Sequence, residues 1–287
     1  MITTTELKYI KSNAKDVPYP NTEYTNMAFD NLENAFNIFK NTFQGKQYTI
    51  LLSNGEEIIF EIADRNICHL LGIDFQNLAS NYMSITLDYV LDFDSNNQIN
   101  SFELVERILE KRNEILKHDS NIFNSNYRIL NYYRIYAKSK MFSKLENFTK
   151  FNFWCINFDK ITYEEVTNKV FNPNSTKMLF IKSNESLSPY IFLGLIYDEK
   201  VKLYVGETIL LDQEFYNYFI NQELLLPIEL IKNDKKELTK VIATNEYKLQ
   251  LLRMYKSIIE YYNTGSYINI FNDYETMLTD KSKVKKL

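Results

Sequence analysis

Glycine and proline are scarce in this chain, at six and five of 287 residues, about a third of their usual combined share. That scarcity excludes collagen-like, glycine-linker and proline-rich architectures. It also argues against enzymes that cradle phosphates in a glycine-rich loop. No Walker loop, dinucleotide fingerprint, Gly-x-Ser-x-Gly elbow or His-Glu-x-x-His helix occurs, and each of these motifs is tied to a particular local backbone. Cysteine and histidine number two each. Cys68 and Cys155 lie far apart and form no CxxC pair, so two buried thiols are expected rather than a disulfide or a structural zinc site. No cofactor is implied. No run approaches the ~18 uninterrupted apolar residues of a membrane span. The opening Met1-Ile2-Thr3-Thr4-Thr5-Glu6 lacks a basic segment followed by an apolar one, so a soluble, cytoplasmic protein without membrane contact is expected.

Aromatic side chains are abundant: 22 Tyr and 20 Phe within an apolar share of 45%. Such a chain has ample surface to bury and does not read as disordered. Its 33 basic and 37 acidic residues leave a net charge of −4, so no overall positive field gathers nucleic acid.

The expected fold class is α+β: N-terminal helices and a hairpin, a central helical segment, a small curved antiparallel sheet and a C-terminal helical extension. Residues 1–26 read as an extended lead-in. From Met27, the residues Phe29, Leu32, Phe36, Phe39 and Phe43 recur at helical spacing, and Gly45 ends the helix. Asn54-Gly55 between two strand-like runs marks a hairpin. Asp64 caps a short helix holding Ile67 to Leu71, closed by Gly72. Residues 76–148 read as helical, with breaks near Ser95 and Ser120. Strands are then expected at Phe151–Phe158, Lys177–Ser183, Tyr190–Tyr197 and Val201–Leu211. Thr162 and Glu165 have capping-box spacing. Leu224–Ile231 reads as an edge strand because of Pro227, and Glu237–Tyr262 as a helix. The divisions are thus 1–26, a domain at 27–232, and a helical extension at 233–287.

Asp92 to Glu103 resembles a twelve-residue calcium loop, with oxygen donors at its first, third, fifth and twelfth positions. Asn97 stands where the sharp turn wants glycine, and no second loop accompanies it. An ordinary interhelical loop explains the same residues.

Among residues able to do chemistry, His69 sits on a short helix with apolar neighbours and is a candidate general base or acid. A half-buried histidine bonded to a backbone carbonyl is the ordinary reading and the one the residues alone favour. His118, between Lys117 and Asp119, complements a helix end. Strand-borne Lys177, Lys182, Tyr204, Glu207 and Thr208 form the remaining set. Lysine can offset charge developing on phosphate, and the hydroxyls can hold its oxygens. Tyrosine and threonine also favour strands for packing reasons alone.

The order of these segments resembles the fourth subgroup of the phage barnase–EndoU–colicin–RelE-like nucleases. The resemblance spans residues 27–232. It is carried by the Phe-rich first helix, Tyr48-Thr49-Ile50-Leu51 with Asn54-Gly55, and Asn66-Ile67-Cys68-His69-Leu70-Leu71-Gly72-Ile73. It continues at Lys140-Met141-Phe142 to Phe151-Asn152-Phe153, Tyr190 to Ile196, Tyr204 to Leu210, and Asn221-Gln222. Gly206 stands in place of a proline, Lys177-Met178-Leu179 in place of Lys-Ala-Asp, and Ile209 and Leu210 in place of aromatics.

The resemblance implies a metal-independent endoribonuclease, toxin-like or a phage or mobile-element effector, that uses the RNA's own 2′-hydroxyl as nucleophile. His69, Lys177, Glu207 and Thr208 would be catalytic. Lys182, Tyr204 and Gln222 would hold substrate, and Arg128 and Arg134 would supply a local basic patch for RNA. The alternative is an inactive relative that binds a host or phage protein, which the departures from the family pattern favour. Convergence of His69, Lys177 and Glu207 on one concave surface discriminates between the two.

Overall fold

The computed structural model describes residues 20–73, 100–121, 130–150, 153–168, 173–182, 190–210, 225–234 and 237–242, with Tyr218, Gln222 and Leu249 as single positions. The chain is α+β, as its residue patterns imply. The first helix, α1 (Thr22–Ile38), starts five residues before Met27 because the Asn21 side chain caps it, accepting from the Tyr24 N–H at 2.8 Å. Its buried stripe is Ala28, Phe29, Leu32, Ala35 and Phe36. A π-helical turn over Phe39–Phe43 leads to Gly45 and then to β1 (Lys46–Leu52) and β2 (Glu57–Glu61), joined by the expected tight turn. A 3-10 turn at Asp64–Asn66 passes into α2 (Ile67–Leu70).

Two described helices, α3 (Ser101–Glu110) and α4 (Arg112–Asn121), precede α5 (Tyr132–Phe142), which continues as a 3-10 stretch over Ser143–Lys150. The N-cap of α3 is Asn100, whose side-chain oxygen accepts from the Glu103 N–H. The first eight positions of the calcium-like loop lie outside the described residues. Its twelfth, Glu103, is an exposed first-turn residue of α3. Among the described residues no group of three or more His, Cys, Asp or Glu side chains is placed to hold a metal ion.

Six more strands and one helix follow: β3 (Phe153–Asn157), α6 (Lys160–Thr167), β4 (Lys177–Lys182), β5 (Tyr190–Asp198), β6 (Leu203–Leu210), β7 (Pro227–Asp234) and β8 (Glu237–Ile242). The capping box expected at Thr162 is displaced. Helix α6 starts earlier, capped by Asp159, which accepts from the Ile161 N–H and from the Thr162 hydroxyl.

The eight strands form one sheet in the order β3-β4-β5-β6-β2-β1-β7-β8. It is larger than expected and mixed rather than wholly antiparallel. The hairpin is part of it, because β2 lies parallel to β6 with Phe60 opposite Tyr204. Glu237–Ile242 is a strand, not the start of a helix, and pairs with β7 from Asp234↔Glu237 to Glu229↔Ile242. The sheet therefore runs past residue 232, where a domain boundary was expected. Pro227 opens an interior strand rather than an edge. It is tolerated as the first residue of β7, opposite Leu52 where the β1 register shifts.

The sheet curls on itself. Cys155 of β3 and Leu225, just before β7, exchange both backbone hydrogen bonds at 2.8 and 2.9 Å. Side chains show the same closure. Strands β4 and β2 are three steps apart in the sheet, about 14 Å if it were flat. Yet Lys177 Nζ of β4 stands 2.5 Å from Glu56 Oε1 at the foot of β2.

Aromatic rings fill the concave side. Phe148 stacks on Phe153 at 4.3 Å between ring centres and meets Phe60 and Tyr48 edge-on at 5.2 and 5.5 Å. Phe43 and Phe142 continue this cluster into the helices. Helix α5 is stitched to the end of α2, with Lys138 Nζ donating to the His69 carbonyl and the Ser139 hydroxyl to that of Leu71, both at 3.2 Å. These bonds satisfy carbonyls that a helix end leaves without intrahelical partners. No described helix is long and apolar enough to cross a membrane.

Candidate functional site

The register decides which strand residues share a face. Leu179, Leu193 and Ile209 lie opposite one another across β4, β5 and β6 and belong to the main core. Lys177, two residues before Leu179 and opposite Asn157 and Leu195, shares their concave side. The neighbouring row, Met178, Gly194 and Thr208, faces the other way. Lys177 and Thr208 are thus on opposite faces of the sheet, and Thr208 is buried at 2% exposure.

Glu207 goes with the second face. A register shift between Gly194 and Leu195 leaves Glu207 as the extra residue of a bulge on β6. Its two carboxylate oxygens accept from the Asn174 N–H at 3.0 Å and the Ser175 hydroxyl at 2.6 Å. Ser175 comes this close because Gly194 has no Cβ: one built there would stand 2.4 Å from Ser175 Oγ. The side chain of Glu207 is spent on holding the approach to β4.

His69 is exposed on α2, while its neighbours Ile67, Cys68 and Leu70 are buried. The segment before it is brought against β6, with Asn66 Nδ2 donating to the Gly206 carbonyl at 2.7 Å. His69 therefore travels with the strand that carries Glu207 and Thr208, whereas the Lys177 ammonium is directed elsewhere. Lys182 ends β4, at the opposite end from Lys177. Gln222 is half-buried and Arg134 half-buried on α5. Arg128 lies outside the described residues. Among the described candidates, Lys177 lies on one face of the sheet and Glu207 and Thr208 on the other.

What does assemble is a polar group at the rim of the curled sheet, where the strand ends carry Lys177, Glu56, Asn157 and Tyr204. The Lys177 ammonium, with its side chain 9% exposed, donates to Glu56 Oε1 and to Asn157 Oδ1. Tyr204, from the foot of β6, has its phenol pushed up, first by burial and then through the charges at Glu56 and the neighbouring Cys155 and Tyr197, with Lys177 opposing. Tyr197, at the end of β5 and 40% exposed, meets Tyr204 edge-on at 5.3 Å. Beneath them the Cys155 thiol is pushed up to about 12 by burial, which makes it a poor nucleophile at neutral pH. Burial also pushes Cys68 up to about 12. Of these rim residues the sequence pointed to Lys177 and Tyr204. Asn157 meets Lys177 as its direct neighbour in the β3–β4 pairing, whereas Glu56 carried no signal, because it meets Lys177 only once the sheet has curled.

A second arrangement escaped the sequence reading. His118 Nδ1 lies 3.1 Å from Asp119 Oδ1, and the Tyr132 hydroxyl donates to Asp119 Oδ2 at 2.8 Å. The Asp119 side chain is fully buried. His118 does more than complement a helix end: it helps satisfy a buried carboxylate at the α4–α5 junction.

Comparison with family models, with curated proteins and with solved structures finds no match to this chain.

Proposed function

We propose that this protein acts by binding, as a non-catalytic factor, and does not cleave RNA. The observation that carries the reading is the state of Lys177. Its ammonium is neutralised by Glu56 at 2.5 Å inside the curl, on the face opposite Thr208. A cation that offsets charge developing on phosphate must be free to approach it, with its partners aimed at the same atoms. Glu207 is likewise committed, to Ser175 and Asn174. The net charge of −4 supports the same reading, since RNA binding draws much of its affinity from cations.

The test is incubation of purified protein with total RNA in EDTA. Intact RNA without cyclic-phosphate ends is expected. Cleavage that disappears in a His69→Ala variant would overturn the proposal.

A further inference from the structure

We propose that the rim of the curled sheet binds a neutral, hydroxyl-rich ligand, a saccharide in chemical class, at Lys177, Glu56, Asn157, Tyr204 and Tyr197. This rests on the binding reading above and specifies what that rim takes. The mouth of a curled or closed sheet is a recurrent place for small-molecule sites, and the chemistry at this one is specific.

Lysine has three N–H donors, and two are used, by Glu56 and Asn157. Lys177 is 7% exposed, and its ammonium has one donor beyond those given to Glu56 and Asn157 among the described residues. Glu56 has a second carboxylate oxygen, and its side chain is one-third exposed. The Tyr204 hydroxyl makes no hydrogen bond among the described residues. The Asn157 carboxamide keeps its two N–H donors, because Lys177 uses only its oxygen.

Charge selects the ligand. The ammonium and the carboxylate cancel, so the rim carries no net attraction for an anion, and Glu56 repels a phosphate or carboxylate brought beside it. A hydroxyl accepts from the ammonium or amide and donates to the carboxylate in the same geometry, which a phosphate dianion cannot do. The exposed ring of Tyr197, held edge-on by Tyr204, offers an apolar face for the C–H side of a sugar. An ammonium, a carboxylate, an amide, a phenol and one aromatic plate together match alternating hydroxyls on a puckered ring.

The experiment is saturation-transfer and amide-shift NMR on the full chain with three probes: methyl β-D-glucopyranoside, D-ribose and inorganic phosphate. At least one sugar is expected to bind, shifting amides of Asn157, Lys177 and Tyr204, while phosphate leaves them unmoved. Tyr197→Ala, at an exposed rim position, should weaken sugar binding about tenfold or more with the fold intact. Asn157→Asp, which replaces the amide donors, should weaken it as well. Binding of neither sugar, binding away from these amides, binding indifferent to Tyr197→Ala, or phosphate binding at the rim would each overturn the proposal. RNA added to the same samples separates the two readings: cleavage refutes the non-catalytic function, whereas intact RNA without sugar binding refutes only the ligand class.

Discussion

Replacing Glu56 by glutamine leaves the Lys177 ammonium in place, 9% exposed along its side chain, with a neutral amide where its counter-charge stood. Removing one partner of a buried pair costs about 3–5 kcal/mol, and breaking an exposed pair about 0.2–1 kcal/mol. This pair is asymmetric, since the Glu56 side chain is 33% exposed and water screens it in part. The expected loss for Glu56→Gln is therefore about 2 kcal/mol. Lys177→Met should cost less, about 0–1 kcal/mol, because methionine fills the stem's volume and the remaining carboxylate can reach water. For a chain of this size that is a fall in Tm of about 3 °C against about 0–2 °C. The double variant should recover most of the Glu56→Gln loss, since no unpaired charge then stays inside the curl. Urea unfolding at pH 7 with an unchanged slope is the assay. If Lys177→Met destabilises as much as Glu56→Gln, or if the double variant sums the two losses, Lys177 is not a buried charge held by Glu56 and the account of the rim fails.

Other consequences are as direct. The Asp198 carboxyl is held below its ordinary value, first by the hydrogen bond from Arg65 and then by the Lys200 N–H. A depressed folded value means that its contribution is present above the unfolded pKa near ~3.9 and is lost as pH falls through the folded value. Arg65→Ala should move the Asp198 titration upward by carboxyl NMR, and an unmoved titration would contradict the pairing. Gly72 adopts φ +88°, and a Cβ there would lie 2.6 Å from the Arg134 carbonyl oxygen. Gly72→Ala should cost about 2–4 kcal/mol by denaturant unfolding, whereas a loss below ~1 kcal/mol would refute that contact. Cys68 and Cys155, both buried and pushed up to about 12, should ignore a thiol-reactive disulfide until the protein unfolds, and rapid labelling of native protein would contradict their burial. Tyr132→Phe strips one bond from the fully buried Asp119 and should cost about 1–3 kcal/mol. A neutral effect in thermal unfolding would show that Asp119 does not depend on it.

Local signals were legible in the sequence where local chemistry decides. Asn54-Gly55 marked the β1–β2 turn, the aliphatic and aromatic runs marked β3 to β6, and Gly72 marked the end of α2. Errors came where a distant partner decides. Glu237–Ile242 carries apolar residues at spacings that suit a helix, and only pairing with β7 makes it a strand. The parallel contact of β2 with β6 joins residues more than a hundred positions apart, and no pattern within either strand encodes it. Asp159 outcompeted Thr162 as a cap because it precedes the first turn and accepts from three donors there. For the candidate site the limit is sharper. Period-two alternation would have put Lys177 and Thr208 on opposite faces only with the β4–β5–β6 register in hand, and that register includes a bulge that no residue type announces.

That bulge lies beside one of the chain's few glycines. Without a side chain at Gly194, Ser175 settles against the outer face of β5 and presents its hydroxyl to Glu207. Glu207 then fixes the loop immediately before Lys177 through two bonds, one of them to the Asn174 backbone. Holding the start of β4 there aims the Lys177 side chain inward, toward Glu56 and Asn157. Glu207 and Lys177, grouped in the sequence as two members of one catalytic surface, therefore act in series from opposite faces. One carboxylate anchors the strand that delivers the other's cation to the rim. On the binding function proposed above, an acid spent in this way places a neutralised lysine among a carboxylate, an amide and two tyrosines, a set suited to reversible polar contacts.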